Sequence, residues 1–494
     1  MATYPHRRAP VAVGAAVAAL LLAACGSNLS PDDVALAQGG TQSSVTTPEL
    51  DSTSPASGGA SNAPPGTVDP TSATSPDQAP GGTGSGPGPE TAGDPEAGGG
   101  GEQEPAPATG DGDAGDCAGF ANQRGITDDT ITLANVSDIS GPVPGIFKPA
   151  QDGAAAFVSY FNATSDLCGR KLELIKLDTR AEASGDQQGY ATACDRAFAV
   201  VGSMSSQDQG GAATAGACGI PDIRSAGVTP QRIGCGSCFA AYSVKVDRIA
   251  ASQPRFWTTR ERSASQHVAV FYVNVEAAKV NAESFAAGFD KGGMNVDLVQ
   301  GIDTSAFNYV PFVQQMKDKG IEFVMYFGPY QFAIRLQQAM KQQSFTPKVY
   351  LQDPTIYTDT YVEQAAGVGE GSYVFSPIEL FDSTRIPEMV LYRQWLNQTS
   401  PGSIPDYYGL FAWSATRLFV EQATELGGKL TRESLVAALR GVREWDGNGV
   451  HAPMDVGGKT TSGCVKMIRL SGSRWTQVSS GDFLCGPLIS TGVG

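Results

Sequence analysis

Strand-like and helix-like segments alternate along this chain from residue 130 onward, and this alternation constrains the fold more than any other feature. Thr130–Val136 and Lys171–Leu177 have the apolar and β-branched patterns of strands, and Pro149–Asn162 between them has apolar residues at helical spacing. The pattern continues through Phe198–Gly202 and Ile220–Ile223. Strands that alternate with helices in this way predict a parallel, doubly wound α/β sheet.

The same alternation starts again near residue 267. Helical patterns cover Glu276–Lys291, Asn308–Lys319 and Gln331–Gln343, and they separate five further strand-like runs. These runs are His267–Val273, Val296–Val299, Phe323–Phe327, Lys348–Gln352 and Ser372–Phe375. Two successive units of similar size predict two α/β lobes.

Helical patterns return after the second unit, at Pro387–Gln398, Tyr408–Leu426 and Thr431–Arg440, and a β pair follows within residues 463–478. We therefore expect the chain to cross the hinge between the lobes more than once. Lobe 1 is predicted to comprise residues 116–250 with 378–450, and lobe 2 residues 251–377 with 451–488.

The N-terminal segment has the organisation of an export signal. Arg7 and Arg8 precede an uncharged apolar run over Val11–Ala24, which is too short to span a bilayer as a mature helix. The sequence Leu22-Ala23-Ala24-Cys25 resembles the lipobox of bacterial lipoproteins, in which the cysteine is lipidated. We predict a signal peptide over residues 1–24, lipid on Cys25 and an extracytoplasmic location at the bacterial cell membrane. An ordinary secretory signal is the alternative.

Residues 25–115 form a segment rich in Gly, Pro, Ser, Thr and acids, without Lys or Arg after Cys25. It has too few large apolar residues to offset its ordering entropy, so we predict a disordered linker. Much of the formal net charge of −16 lies in this segment. The remainder has no basic surplus, which argues against nucleic acid as a partner.

Eight cysteines remain when Cys25 is set aside as the lipidated residue. An even number in an exported chain indicates disulfides, although the sequence allows many connectivities. Pairing in chain order predicts Cys117–Cys168, Cys194–Cys218, Cys235–Cys238 and Cys464–Cys485.

Signatures of catalysis are scarce. The exported part has only His267 and His451, and no metal-binding, nucleophile-elbow or phosphate-loop motif occurs, so we predict no catalytic residues, metal or cofactor. Cys235 and Cys238 form a CxxC motif that precedes a strand-like segment rather than opening a helix. This context favours a local disulfide, with redox activity or metal binding as alternatives.

Candidate binding groups follow the predicted strands, where doubly wound sheets bind ligands. Ser140–Val143, Gly202–Gln207 and Ser225–Pro230 supply hydroxyls and backbone N–H groups in lobe 1, and lobe 2 supplies Tyr330 and Asp353. This set suits a small zwitterion, with donors for its carboxylate, Asp353 for its ammonium group and Tyr330 against its stem.

Several short motifs occur in the order and at the spacing of a known family. They lie between Arg124 and Leu470, and together they resemble the type I periplasmic binding proteins, in particular the branched-chain amino-acid-binding group that feeds ABC importers. The motifs are Gly125–Thr127, Ser140–Pro142, Phe161-Asn162, Gly169-Arg170, Val200–Gly202 with the following serines, Gly219–Pro221 and the helix from Tyr408 to Ala423.

The resemblance implies a ligand set for this chain. It assigns the carboxylate-binding hydroxyl to Ser206, with Ser205, and backbone contacts to Ala226 and Val228. It assigns the aromatic contact to Tyr330 and the ammonium-binding acid to Asp353.

The chain departs from the family pattern at three places, one of which is Asp353, shorter than the glutamate expected in amino-acid binders. Ile146 stands near a position that is commonly aromatic, and Ala277-Ala278 replaces the usual Tyr-Gly after the first strand of lobe 2. The predicted ligand is therefore a small polar molecule, an amino acid or an amide-like compound.

The resulting expectation is a lipid-anchored solute-binding protein that delivers its ligand to an ABC permease and has no catalytic role. A ligand sensor or cell-surface regulator with the same fold is the first alternative, because fold does not fix function. An extracytoplasmic thiol enzyme that uses Cys235 and Cys238 is the second.

Overall fold

The structure is a computed structural model that describes residues 115–493. The predicted signal peptide, the lipidated Cys25 and nearly all of the predicted linker lie outside these residues. None of the described helices combines the length and the hydrophobicity that a bilayer span requires.

The first sheet has five parallel strands in the order β2-β1-β3-β4-β5. Helices connect successive strands up to β5, as the sequence predicts for a doubly wound sheet. The strands are β1 (Thr130–Ser137), β2 (Lys171–Asp178), β3 (Ala199–Val201), β4 (Asp222–Gly227) and β5 (Cys238–Ser243), and the helices are α1 (Lys148–Thr164), α2 (Ala183–Arg196), α3 (Ala212–Cys218) and α4 (Pro230–Gly234).

The second sheet has the order β13-β12-β11-β10-β9-β7-β8, with β14 also paired to β12. Strands β7 to β11 are parallel, and β12 joins β11 antiparallel. These parallel strands are β7 (Val268–Val273), β8 (Val296–Ile302), β9 (Phe323–Phe327), β10 (Val349–Gln352) and β11 (Tyr373–Ser376), with helices α6 (Glu276–Lys291), α7 (Val310–Asp318), α8 (Tyr330–Gln342) and α9 (Asp359–Gln364). The predicted fold of two α/β lobes with parallel sheets is confirmed.

The remaining segments connect or complete the lobes. Helices α10 (Pro387–Thr399), α11 (Tyr407–Leu426) and α12 (Arg432–Leu439) follow the second parallel unit, and α10 and α11 pack on α1 of the first lobe. Strands β12 (Cys464–Ser471), β13 (Arg474–Gln477) and β14 (Leu484–Cys485) return the chain to the second sheet. The chain therefore passes between the lobes near residues 244–251, 377–386 and 440–463.

Helix α11 is held against α1 by a close backbone approach. A side chain at Gly153 would place its Cβ atom 2.1 Å from the carbonyl oxygen of Gly409, so α1 needs glycine at this crossing. Asp406 caps α11, since its Oδ1 atom accepts the N–H groups of Tyr408 at 2.7 Å and Gly409 at 3.3 Å. The cap and the crossing together fix the first turn of α11.

The structure has the four disulfides Cys117–Cys168, Cys194–Cys218, Cys235–Cys238 and Cys464–Cys485, which are the pairs expected from chain order. It also contains elements that the sequence reading does not predict. Among these are helix α5 (Ser252–Arg260) and a small antiparallel sheet of β6 (Arg248–Ala250) and β15 (Leu488–Ser490).

Candidate functional site

A cleft between the lobes lies where both sheets change their winding direction. In the first sheet the order reverses between β1 and β3, and in the second between β7 and β9. The loops that follow these strands contribute Asp138 and Ser206 from lobe 1 and Val275 and Gly328 from lobe 2. Doubly wound sheets bind ligands at such switch points, so this cleft is the candidate site.

The walls of the cleft are largely apolar. Its volume is about 300 Å³, which is in the range of small-molecule sites. Val143, Ile146 and Phe147 line it from lobe 1, and Phe327 and Phe332 line it from lobe 2. The apolar surface favours a ligand with a hydrocarbon or aromatic body.

Ser206 lines the cleft, but its donors are already used within the protein. The carboxylate of Asp138 accepts the Ser206 N–H at 2.8 Å and the Ser206 hydroxyl at 2.6 Å, both through Oδ2. The hydroxyl of Thr179 donates to the other oxygen of Asp138. Asp138 is 1% exposed, so a buried carboxylate holds the Ser206 donors that the resemblance assigns to the ligand.

Val228 shows the same arrangement. It lines the cleft, and its N–H donates to the carboxylate of Asp208 at 3.0 Å. The Thr229 hydroxyl donates to the other oxygen of Asp208, which is also buried. The Val228 N–H is therefore engaged inside lobe 1.

Asp353 follows β10 and lines the cleft from lobe 2. Its carboxylate accepts the N–H groups of Gly328 at 2.7 Å and Thr355 at 2.8 Å, and the Thr355 hydroxyl. Burial raises the pKa of Asp353 to about 6, although these hydrogen bonds favour the ionised form. Asp353 thus caps the short 3₁₀ turn at Pro354–Ile356 and also faces the cleft.

The other proposed ligand residues lie outside the cleft lining. Ser205 and Ala226 are buried, and the Ser205 hydroxyl accepts the N–H of Gln207 at 3.1 Å. Tyr330 opens α8 and lines a neighbouring cavity of about 420 Å³. That cavity shares Ile146 and Tyr408 with the cleft, so the two form adjoining parts of one opening.

Residues 130–473 match the periplasmic binding protein family. The chain belongs to this family. No curated protein sequence matches it.

Solved structures of periplasmic binding proteins share the fold at low sequence identity. A leucine-binding protein from Thermotoga maritima is 15% identical and has a TM-score of 0.62, with 72% of this chain and 99% of that chain covered. A fatty acid ABC transporter substrate-binding protein from Thermomonospora curvata is 15% identical with a TM-score of 0.64, covering 73% and 94%. An isoleucine complex of a branched-chain amino acid transporter substrate-binding protein from Streptococcus pneumoniae is 15% identical with a TM-score of 0.60, covering 72% and 100%.

Within the family fold, the departures from the usual pattern other than Asp353 also face the cleft. Ile146, Ala277 and Ala278 belong to its lining. Compared with the aromatic residues of the usual pattern, these small and aliphatic side chains leave more space for a ligand and keep the lining apolar.

Sequence reasoning did not identify Asp138 and Asn281 as lining residues. Asp138 comes directly after β1 and precedes the Ser140 turn, a position that could have marked it as a candidate. Asn281 lies within α6, where a polar residue is ordinarily a solvated one. Its position in the sequence therefore did not mark it as a candidate lining residue.

His267 and His451 lie apart from the cleft. His451 is buried, with Nε2 2.8 Å from the Ser414 hydroxyl and Nδ1 2.9 Å from the carbonyl oxygen of Ala452. Burial lowers the pKa of His451 to about 4. His267 is exposed and lies 3.5 Å from Asp297. Among residues 115–493, no group of three or more His, Cys, Asp or Glu side chains is arranged to hold a metal ion.

Proposed function

We propose that this chain is an extracytoplasmic solute-binding protein of an ABC importer. In this function, lipid on Cys25 holds it at the bacterial membrane, and the linker over residues 25–115 allows the binding lobes to reach solutes. A small molecule enters the interlobe cleft, the lobes close around it by a hinge motion, and a permease receives it.

The observation that carries this proposal is the position of the cleft. It lies at the switch points of both sheets, and each lobe contributes polar groups, Asp138 and Ser206 on one side and Asp353 on the other. A ligand that contacts both lobes binds the closed form better than the open form, and this difference drives closure. The family membership supports binding rather than catalysis as the role.

A thermal-shift screen of the full-length protein against a library of small metabolites tests the binding function. A ligand at 100 times its dissociation constant adds about 2.7 kcal/mol to the folded state, which raises the melting temperature by a few degrees. A saturable shift with one chemical class supports the proposal, and the absence of any shift contradicts it.

Import requires a second experiment, because a sensor would also bind ligand. Cells that lack this chain should accumulate a labelled ligand from the screen more slowly than the parent strain. Re-expression of the chain should restore uptake, whereas Cys25→Ala, which removes the lipid attachment site, should not. Unchanged uptake in the deletion strain would favour a sensor.

A further inference from the structure

The donors of two residues that the family resemblance assigns to the ligand are already engaged within the protein: Ser206, assigned to the ligand carboxylate, and Val228, assigned to a backbone contact. Ser206 donates both its N–H and its hydroxyl to Asp138, at 2.8 and 2.6 Å. Val228 donates its N–H to Asp208 at 3.0 Å. A ligand carboxylate at this end of the cleft would have to displace a buried carboxylate of the protein from its hydrogen bonds.

The charge of the lining also disfavours a ligand that carries a carboxylate. Asp138 and Asp353 line the cleft, and no Lys, Arg or His is among its lining residues within the described part of the chain. An anion would lose its hydration beside two acids without a compensating cation. A cation or an uncharged hydrogen-bond donor does not face this repulsion from the two acids.

The lining still offers hydrogen-bond acceptors. An ionised carboxylate has about four acceptor positions. Asp138 accepts from the Ser206 N–H, the Ser206 hydroxyl and Thr179, and Asp353 accepts from Gly328 and twice from Thr355. Each acid therefore retains room for one more donor. The side-chain oxygen of Asn281, also in the lining, has no hydrogen-bond partner among the described residues.

The rest of the cleft is apolar, with Val143 and Phe147 on one side and Phe327 and Phe332 on the other. We infer that the cleft binds a molecule with an apolar body and a hydrogen-bond-donating head, an amine or an alcohol, and excludes molecules that carry a free carboxylate. This inference rests on the proposed function and names the ligand class of the same site. It also replaces the amino acid expected from the resemblance, since every amino acid carries a carboxylate.

Three probes with the same aromatic body test the inference by calorimetric titration of the full-length protein. They are phenethylamine, 2-phenylethanol and 3-phenylpropionate, which carry a cationic, an uncharged and an anionic head. The amine or the alcohol should bind at least tenfold more tightly than the acid. An acid that binds as tightly as both others overturns the inference, and so does the failure of both the amine and the alcohol to bind.

Asp138→Ala frees the Ser206 donors and removes one negative charge. Binding of 3-phenylpropionate should therefore appear or improve at least tenfold in this variant, and a smaller gain is expected for Asp138→Asn, which keeps an acceptor beside Ser206. Asp178→Asn is the matched control, because Asp178 ends β2, accepts the N–H groups of Ile139 and Ser140, and lies outside the cleft lining. If neither Asp138 variant gains affinity for 3-phenylpropionate, the inference is overturned.

The result separates the inference from the proposed function. A carboxylate ligand from the metabolite screen that loses binding when the cleft is filled would overturn the ligand class and leave solute binding intact. A metabolite screen that finds no ligand would overturn both the ligand class and the proposed function.

Discussion

The Asp138 carboxylate accepts both the N–H and the hydroxyl of Ser206, through one oxygen atom at 2.8 and 2.6 Å. The two residues are 68 positions apart and follow neighbouring strands, β1 and β3, at the switch point of the first sheet. This pair places an acid in the lobe 1 lining of the cleft, where the family resemblance implies free donors.

Asp138→Ala should lower the stability of lobe 1 as well as alter ligand choice. The change leaves the donors of Ser206 and Thr179 without their partner, which costs about 1–3 kcal/mol of unfolding free energy. Chemical denaturation measures this cost, and Asp138→Asn should lose less because its amide oxygen still accepts. Equal losses in both variants would contradict the role of these hydrogen bonds.

Arg232 holds a buried ion network in lobe 1. Its guanidinium lies 2.9 Å from Asp186 and 3.1 Å from Asp222, and all three side chains are almost fully buried. Arg232→Met leaves two buried acids without this partner and should cost about 3–5 kcal/mol, measured by denaturant unfolding. Arg474→Ala is the control, because its pair with Asp382 is exposed and should contribute little. A loss in Arg232→Met no larger than in the control would contradict the account.

Asp353 should give the protein a pH-dependent stability. Burial raises its pKa from 3.8 to about 6, so the folded state binds more protons than the unfolded state between these values. Stability from this group is therefore fully present below pH 3.8 and is lost as the pH rises through 6, by about 3 kcal/mol.

The measurement compares Asp353→Asn with the wild type from pH 4 to pH 7.5 by denaturant unfolding. The variant should gain stability relative to the wild type as the pH rises, and this difference removes the opposite contribution of His451, whose pKa is lowered to about 4. Asp178→Asn should show no such trend in this window, because the pKa of Asp178 is lowered to about 2. A flat difference for Asp353→Asn would refute the raised pKa.

The disulfides should differ in their effect on stability according to the loop that each closes. Cys117–Cys168 spans 51 residues, and in the chain-entropy account its removal costs about 4 kcal/mol. Cys235–Cys238 spans 3 residues and should cost the least. Double replacements by serine, compared by thermal unfolding, test this order, and equal losses would contradict it.

Much of the fold follows from periodicity in the sequence. Helix α6 begins and ends at the predicted residues. The helix predicted over Thr431–Arg440 is α12, and the Thr431 side chain caps it by accepting the N–H of Ser434. Strands β6 and β15 were missed because three residues are too short to show an alternating pattern, and their pairing joins segments far apart in the chain.

The candidate site was less predictable, because its chemistry depends on contacts between distant residues. Strand ends and the family resemblance pointed to Ser206, Val228 and Asp353, which line the cleft. They gave no indication that Asp138 and Asp208 would take the donors of Ser206 and Val228. Tyr330 was expected to contact the ligand and lies in the adjoining cavity, since no local pattern tells which side of the loop after β9 faces the ligand.

The account depends most on the cleft being the place where solute binds, and Ala278→Trp tests this directly. Ala278 lines the cleft on α6, whereas Ala287 on the same helix does not, so Ala287→Trp adds the same bulk elsewhere. The tightest ligand from the metabolite screen is titrated calorimetrically into the wild type and both variants. We expect Ala278→Trp to lose at least a hundredfold in affinity while Ala287→Trp binds like the wild type. Wild-type affinity in Ala278→Trp would contradict the proposed site.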